Sequence, residues 1–369
     1  MNKKIYLIVA LLLSFNFSIG RAAPAKVLES AVVEIQDLPE MEIANGEFSI
    51  PIGGLSGLAV RRTKRNGKVV LWSPTDRGPN LKSAKTNDGV ARPFLNDLYR
   101  PRIIEFEFDV QKKSARFRKY RSLKPNTITG IPNIAPGRGE EFDEIPTTWQ
   151  GERIANAPLG IDPEGIAIGE NGHIWLSEEY RPSFLEFSRS RKLLARYVPE
   201  THRVLGPKTK AVLPAVLARR KLNRGLEALC AANGLLYSVM QSPLPIVKGK
   251  SRLVRIIEFD PKQQRVIGQY FYVLEREDAD KIGGIAHIGE KQFVIVERDG
   301  RVGENAFKRV YRFDLAQATN LEQLQKEWVG TKKAERLGVK FLLEQGVQPA
   351  PKSLVGELAA AGFDSVEKI

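Results

Sequence analysis

A hairpin that recurs along the chain constrains its fold more than any other feature. DPEGIAIGENGHIWLSEEY from Asp162, RGLEALCAANGLLYSVMQS from Arg224 and IGGIAHIGEKQFVIVERDG from Ile282 each hold a short apolar strand, a turn and a second apolar strand. Their alternation and β-branched or aromatic content suit strands, and Asn171-Gly172 and Asn233-Gly234 are tight-turn signals. GLSGLAVRRTKRNGKVVLWSPTDRG from Gly54 repeats the frame with a longer basic tip between Arg61 and Lys68. Gly165 to Glu178, Ala228 to Gln241 and Gly284 to Glu297 each span 13 positions, and Gly57 to Asp76 spans 19. Successive copies are 63 and 56 residues apart, and the first interval, 108, is close to two such steps. With further strands at Pro101 to Asp109, Leu253 to Asp260 and Arg309 to Leu315, this period matches a four-stranded unit repeated around an axis. The chain is therefore expected to be all-β, a β-propeller of about six blades, in preference to a β-sandwich or a solenoid.

Two decorations are expected on that frame. Residues 125–160 are rich in Pro, Gly and Asn and read as a long loop over one face, with an acidic cluster from Glu140 to Glu144. Residues 321–345 carry apolar positions at helical spacing and predict a C-terminal helical insertion.

In a propeller the first strand of each blade lines the axis, so positions equivalent by register form rings. One ring holds Ser56, Glu164, Glu227 and Gly283; a second holds Asp76, Glu178, Gln241 and Glu297, with Arg77, Glu179, Ser242 and Arg298 beside it. Carboxylates gathered at one mouth repel unless a cation or base neutralises them, and an all-oxygen set suits Ca2+ or Mg2+. Arg77 and Arg298 would then hold an anionic group in forked hydrogen bonds while the metal activates water. The competing reading has the same residues pairing as Arg–carboxylate bridges that tie blade to blade.

Other chemistries find little support. The single cysteine, Cys230, excludes an intrachain disulfide and thiolate metal centres. His173, His202 and His287 have no HExxH spacing, and Ser56 in GLSGL lacks the nucleophile-elbow pattern. Gly249-Lys250-Ser251 has Leu244 where a phosphate-binding loop needs glycine. The net charge of +14 favours anionic ligands. Basic runs at Arg61 to Lys68, Lys112 to Lys124 and Arg219 to Arg224 lie in separate repeats without a nucleic-acid-binding module, and read as solvated loop faces.

The N-terminus, MNKKIYLIVALLLSFNFSIG, sets Lys3 and Lys4 before the apolar run Ile5 to Leu13, the layout of a secretory signal peptide over about residues 1–22. Cleavage after Gly20, Ala22 or Ala25 suits the small residues there, and no cysteine is placed for lipid attachment. The run is shorter than the ~20 apolar residues of a spanning helix. The expected product is soluble and periplasmic or secreted; an uncleaved apolar anchor is the alternative.

SPTDRGPN (Ser73 to Asn80), GIDPEGIAI…WLSEEYRP (Gly160 to Pro182), NRGLEAL…MQSPL (Asn223 to Leu244) and GGIAHIGEKQFVIVERDGR (Gly283 to Arg301) resemble the phytase-like proteins described as having esterase-like activity. The resemblance runs from about Gly53 to Leu315 and implies an exported propeller-type domain over 27–369 that hydrolyses phosphate or other esters. Positions matching its motifs are Asp76, Arg77, Asp162, Glu164, Glu178, Glu179, Glu227, Gln241, Glu297 and Arg298. The family continues past a segment like GFDSVEKI with a further hairpin, so the last blade is expected to be truncated, or closed by another strand such as Val27 to Leu38.

The expectations are then specific. Asp76, Arg77, Glu164, Glu227, Glu297 and Arg298 act in catalysis, and Arg77, Gln241 and Arg298 bind substrate. Asp76, Asp162, Glu164, Glu178, Glu179, Glu227 and Glu297 hold a divalent cation, Ca2+ by preference. The substrate is a small anionic ester and the protein a monomer, with no nucleic-acid partner and no membrane span. The alternatives are a non-catalytic envelope binding module and an inactive truncated relative.

Overall fold

The computed structural model describes residues 6–11, 29–134, 142–201, 206 and 208–359. The chain is mostly β, with one α-helix among the described residues. Each recurring hairpin opens a four-stranded antiparallel meander. Meander I comprises Ala59–Thr63, Val69–Pro74, Arg102–Asp109 and Ser114–Ser122; meander II comprises Pro163–Ile168, Ile174–Glu178, Ser183–Phe187 and Leu193–Pro199. Meander III comprises Leu226–Ala232, Leu235–Met240, Leu253–Asp260 and Arg265–Val273; meander IV comprises Lys281–Gly289, Gln292–Arg298, Lys308–Asp314 and Lys352–Glu357. Their first strands lie side by side in chain order, I against II, II against III, III against IV.

Glycine makes that approach possible. A Cβ on Gly57, whose φ is +73°, would lie 2.9 Å from the Gly165 Cα, and one on Gly165 would lie 2.7 Å from the Leu229 backbone nitrogen. The strands can meet only where no side chain intervenes.

Pairing corrects the register read from spacing. Pro163 faces Glu178 in meander II, Leu226 faces Met240 in III, Ile282 faces Glu297 in IV, and Leu55 bridges Thr75 in I. Thr75, Glu178, Met240 and Glu297 are thus equivalent, and so are Asp76, Glu179, Gln241 and Arg298 one residue later. The backbone repeats this. Asp76 N–H donates to Gly54 O at 2.7 Å, Glu179 N–H to Asp162 O at 3.1 Å and Gln241 N–H to Gly225 O at 2.8 Å. The expected second ring was one residue out in I and III because turn lengths differ. Ala232 and Leu235 close a two-residue turn directly, whereas Ile168 and Ile174 enclose five residues.

The wide interval before meander II holds no fifth meander among the described residues. Instead Ala84–Thr86, Gly89–Phe94 and Ile145–Thr148 form a three-stranded sheet, the last strand lying within the segment expected to be a long loop. Pro125, Pro132 and Pro158 punctuate this segment, and proline cannot donate to a ladder. The described residues thus supply four such meanders, where about six blades were expected.

The segment expected to close the ring lies elsewhere. Glu29–Gln36 pairs in parallel with the outermost strand of meander I, with Tyr6–Leu11 antiparallel beyond it, while Lys352–Glu357 ends meander IV. The reason is apolar: Ile35 packs with Ile52, Leu71, Ile104, Phe106 and Phe108, so the N-terminal segment covers one face of meander I. The possible cleavage points, His202, Glu140, Glu141 and the last ten residues, where truncation was expected, lie outside the described residues.

The helix, Lys333–Glu344, and two 3-10 turns intervene between the last two strands of meander IV. Leu321, Trp328, Ala334 and Leu342 pack on Leu253 and Phe271 of meander III, and a buried Arg255–Glu335 ion pair at 2.7 Å ties the insertion there. No helix among the described residues is long and apolar enough to cross a membrane.

Candidate functional site

Two β-bulges aim the site. In meander II the ladder slips between Pro163 and Gly165, and in III between Leu226 and Ala228, so that Glu164 and Glu227 are the extra residues of the bulges. A bulged residue is turned out of the pleat toward whatever lies at the strand end. Here that is the group of residues just past the second strands.

Asp162, Glu164 and Glu179 each place one carboxylate oxygen within 4.8 Å of the others. Asp162 and Glu179 are 1% exposed and Glu164 is half-buried. Asp162 stands where meanders I and III carry Gly54 and Gly225, and no side chain fits at either: a Cβ on Gly54 would lie 2.3 Å from the Asp76 carboxylate, one on Gly225 2.4 Å from Glu179 O. Glu227 adjoins the triad through Gln241, whose Nε2 donates to Glu179 and, at 2.6 Å, to Glu227 Oε2. Arg298 Nη2 reaches Glu227 Oε1 at 3.4 Å.

Arg77 closes the other side. Its backbone N–H donates to Asp162 Oδ1 at 2.9 Å, and its Nε lies 3.5 Å from Asp162 Oδ2. Its Nη1 donates to Glu144 Oε2 at 2.9 Å and Asn223 Oδ1 at 2.8 Å. Glu144 is held from behind by Arg92 in a fork of 2.6 and 3.0 Å, and the neighbouring Asp143 pairs with buried Arg220, whose Nε also donates to Glu179 O at 3.2 Å. The described part of the expected acidic loop cluster is therefore neutralised by arginines and pins the loop over the site. Glu144, Arg92, Asn223 and Arg220 have no place in the hairpin repeat, so register could not have found them.

The electrostatics show strain among like charges. Burial pushes the Asp162 carboxyl up to about 7, against the pull of Arg77 and helped by Asp76. Burial also pushes Glu179 well above the usual carboxylate range, and Glu164, Glu227 and Asp162 push it the same way. Arg77 is held well above its ordinary value by Asp162, Tyr180 and Glu144 despite burial.

Other expected residues fall elsewhere. Glu178, fully buried, accepts from the backbone N–H of Tyr180 at 3.1 Å and Arg181 at 3.0 Å, from Ser183 Oγ at 2.9 Å, and pairs with Arg196 at 3.0 Å. Glu297, also fully buried, accepts from Tyr272 OH at 2.5 Å, Lys352 Nζ at 2.5 Å and the Glu275 N–H at 2.8 Å. Both sit one residue before the position that faces the centre; Glu178 ties together its own sheet, whereas Glu297 ties meander IV to Tyr272 of meander III. His173 pairs with Glu186 at 2.7 Å and His287 with Glu290 O at 2.8 Å, neither at the cluster.

An all-oxygen donor set this close, with carboxyls that resist ionising together, fits a hard divalent cation, with Asp162, Glu164 and Glu179 as its holders.

The family model described as Phytase-like, esterase-like activity of phytase, matches residues 50–369. No curated protein matches the sequence significantly. Among solved structures, an α-L-arabinofuranosidase from Clostridium thermocellum shares 8% identity at a TM-score of 0.37, the match covering 83% of this chain and 74% of that one. Virginiamycin B lyase from Staphylococcus aureus shares 16% at a TM-score of 0.29, covering 74% and 87%. Hydrazine synthase from Kuenenia stuttgartiensis shares 11% at 0.31, covering 76% of this chain and 64% of that one. Likeness this loose bears on none of the chemistry.

Proposed function

The chain belongs to the phytase-like family, and from that premise we propose an exported, monomeric hydrolase of phosphate or other anionic esters that works with a divalent cation, Ca2+ by preference. One observation carries the reading: three carboxylates gathered at one end of meander II, two of them buried, within 4.8 Å of one another. A cation there would polarise an ester oxygen and lower the pKa of bound water. Asp162, Glu164 and Glu179 hold it. Arg77 and Arg298 bind the anionic group, and the half-buried Asp76 carboxylate takes the proton of the attacking water. Gln241 bridges Glu179 and Glu227 by donating to both. Glu178 and Glu297, each held by buried hydrogen bonds away from the cluster, leave the metal set, and Glu297 leaves the catalytic set.

The four meanders are read as blades of a propeller of about six. Residues 1–22 are read as a leader, which the N-terminal sequence of protein recovered from the periplasm or medium tests.

The activity is tested on purified protein with a generic phosphate monoester and a generic carboxyl ester, in excess Ca2+ and in chelator. Turnover abolished by chelator and by Glu164→Gln supports the hydrolase. Cation binding without turnover on either ester favours the non-catalytic envelope module.

A further inference from the structure

Two of the three basic runs, separate in sequence, share one face of meander I. Glu105 and Glu107 stand on its third strand, and the hairpin tip, the first strand and the fourth strand bring cations to that face. Lys64 and Lys68, from the hairpin tip, and Arg118, from the fourth strand, all converge on Glu107, Lys68 at 3.3 Å and Arg118 at 2.7 Å. Arg121 reaches Glu105 at 2.7 Å and Lys119 lies 3.9 Å from it. A bulge between Phe117 and Lys119 lets both Arg118 and Lys119 face the same way.

The charges do not balance. Six cations, counting Arg61, meet three carboxylates, the third being Asp109 at 3.7 Å from Lys68. The cations are outermost: the Lys119 side chain is 56% exposed and that of Arg118 45%, while that of Glu107 is 6% exposed. Three cations around one carboxylate repel one another, and an arriving anion relieves that repulsion. The two glutamates act as pedestals, holding the array in place on strands about 4.8 Å apart, so little ordering is needed to bind.

The face also has a chemical signature. Trp72 lies within it but is 5% exposed, covered by Arg61 at 5.1 Å and Arg121 at 5.3 Å from its ring centre, so it offers no open ring for a nucleobase to stack on. The exposed apolar residues of these strands, Val60 and Tyr120, pair with Leu71 and Ile104 and belong to the opposite face, leaving nothing here to enter a bilayer. We infer that this face of meander I binds a linear polyanion carrying repeated phosphate groups, through its cations alone.

The probe is inorganic polyphosphate of defined length, titrated into the full-length protein by calorimetry and followed by tryptophan fluorescence at several salt concentrations. Saturable binding that weakens with salt is expected. Lys64→Gln/Lys68→Gln/Arg118→Gln should weaken it at least about tenfold and reduce the salt slope by about one per cation removed. Because that variant strips Glu107 of its partners, Arg61→Gln/Lys119→Gln is run beside it. The second variant leaves both glutamates paired, should keep the wild-type unfolding transition, and should still lose affinity severalfold. Lys248→Gln/Lys250→Gln, in an exposed loop elsewhere, should bind as wild type. Unchanged affinity in the Arg61/Lys119 variant overturns the inference, as does equal affinity of the wild type for a DNA oligonucleotide or for vesicles rich in anionic lipid. The readout is binding, so its failure leaves the esterase assay untouched.

Discussion

Glu179 and Gln241 occupy one register position in adjacent sheets and touch: the Gln241 amide nitrogen donates to the Glu179 carboxylate. A second bond from the same nitrogen runs to Glu227 at 2.6 Å, so one neutral amide bridges two buried acids. Its donor offsets part of the repulsion that, together with burial, pushes Glu179 well above the usual carboxylate range.

Gln241→Glu removes that donor and adds a carboxylate. Without divalent cation the variant should lose about 1–3 kcal/mol of stability, the cost of leaving buried polar groups unpaired. With saturating Ca2+ most of this should return, because the extra charge then faces a cation. Differential scanning calorimetry in chelator and in Ca2+ checks it. An equal loss in both conditions would mean that no cation occupies the cluster.

Ligand linkage sets the scale for the wild type. A cation at a hundred times its Kd should stabilise the fold by about 2.7 kcal/mol. Asp162→Asn and Glu164→Gln should each shrink that increment, and isothermal titration should show weaker Ca2+ binding in step with it. Glu164→Gln is the cleaner of the two, since Asp162 also accepts the Arg77 backbone N–H.

How much of this could be read from sequence divides along the strands. The hairpins, their order and the convergence of Asp76, Glu164, Glu179 and Glu227 followed from recurring apolar pairs and turn signals, because strand pairing repeats locally. The register of the second ring did not. Equal spacing concealed turns of different length, and one residue in a strand reverses the side a residue faces. Hence Glu178 and Glu297 were placed at the centre, where Glu179 and Arg298 stand instead. The Glu144–Arg92 fork joins a loop to a strand 52 residues away with no periodicity to announce it.

Glu178 tests that distinction directly. It holds buried Arg196 at 3.0 Å, so Glu178→Ala strands a buried charge and should cost about 3–5 kcal/mol. Glu164→Gln should cost far less stability yet shrink the Ca2+ response. Urea melts of the two variants beside Ca2+ titrations would show loss of fold in one and loss of ligand in the other. The reverse pattern would exchange their roles.

The loop latch should respond to pH. Burial raises the Asp143 carboxyl to about 6, with Arg220 opposing. A carboxyl raised in the fold binds its proton more tightly than in the unfolded chain, whose value is about 3.9. Its contribution is therefore complete below about pH 4 and lost as pH rises through about 6. Asp143→Asn removes this titration, so the stability difference between wild type and variant should shift against the wild type across that window and level off above it. Thermal melts from pH 4 to 7.5 measure the slope; no slope means that Asp143 stays ionised throughout.

Gly165→Ala probes the geometry on which the site rests. The added methyl would lie 2.5 Å from Ser177 Oγ and 2.7 Å from the Leu229 nitrogen, both in a packed interior, and the second is backbone of the neighbouring sheet. Relief requires meanders II and III to part by a few tenths of an ångström or more, at about 1–3 kcal/mol. Glu164 rides on II and Glu227 on III, and Gln241 of III bonds Glu179 of II, so the same parting loosens the acid cluster. Stability and Ca2+ affinity should fall together, although the substitution changes no ligand. Ala59→Gly, which thins the first strand of meander I away from this contact, should lower stability but leave Ca2+ affinity as it was. If Gly165→Ala binds Ca2+ as tightly as the wild type, then the inner-strand contact does not set the spacing of the carboxylates.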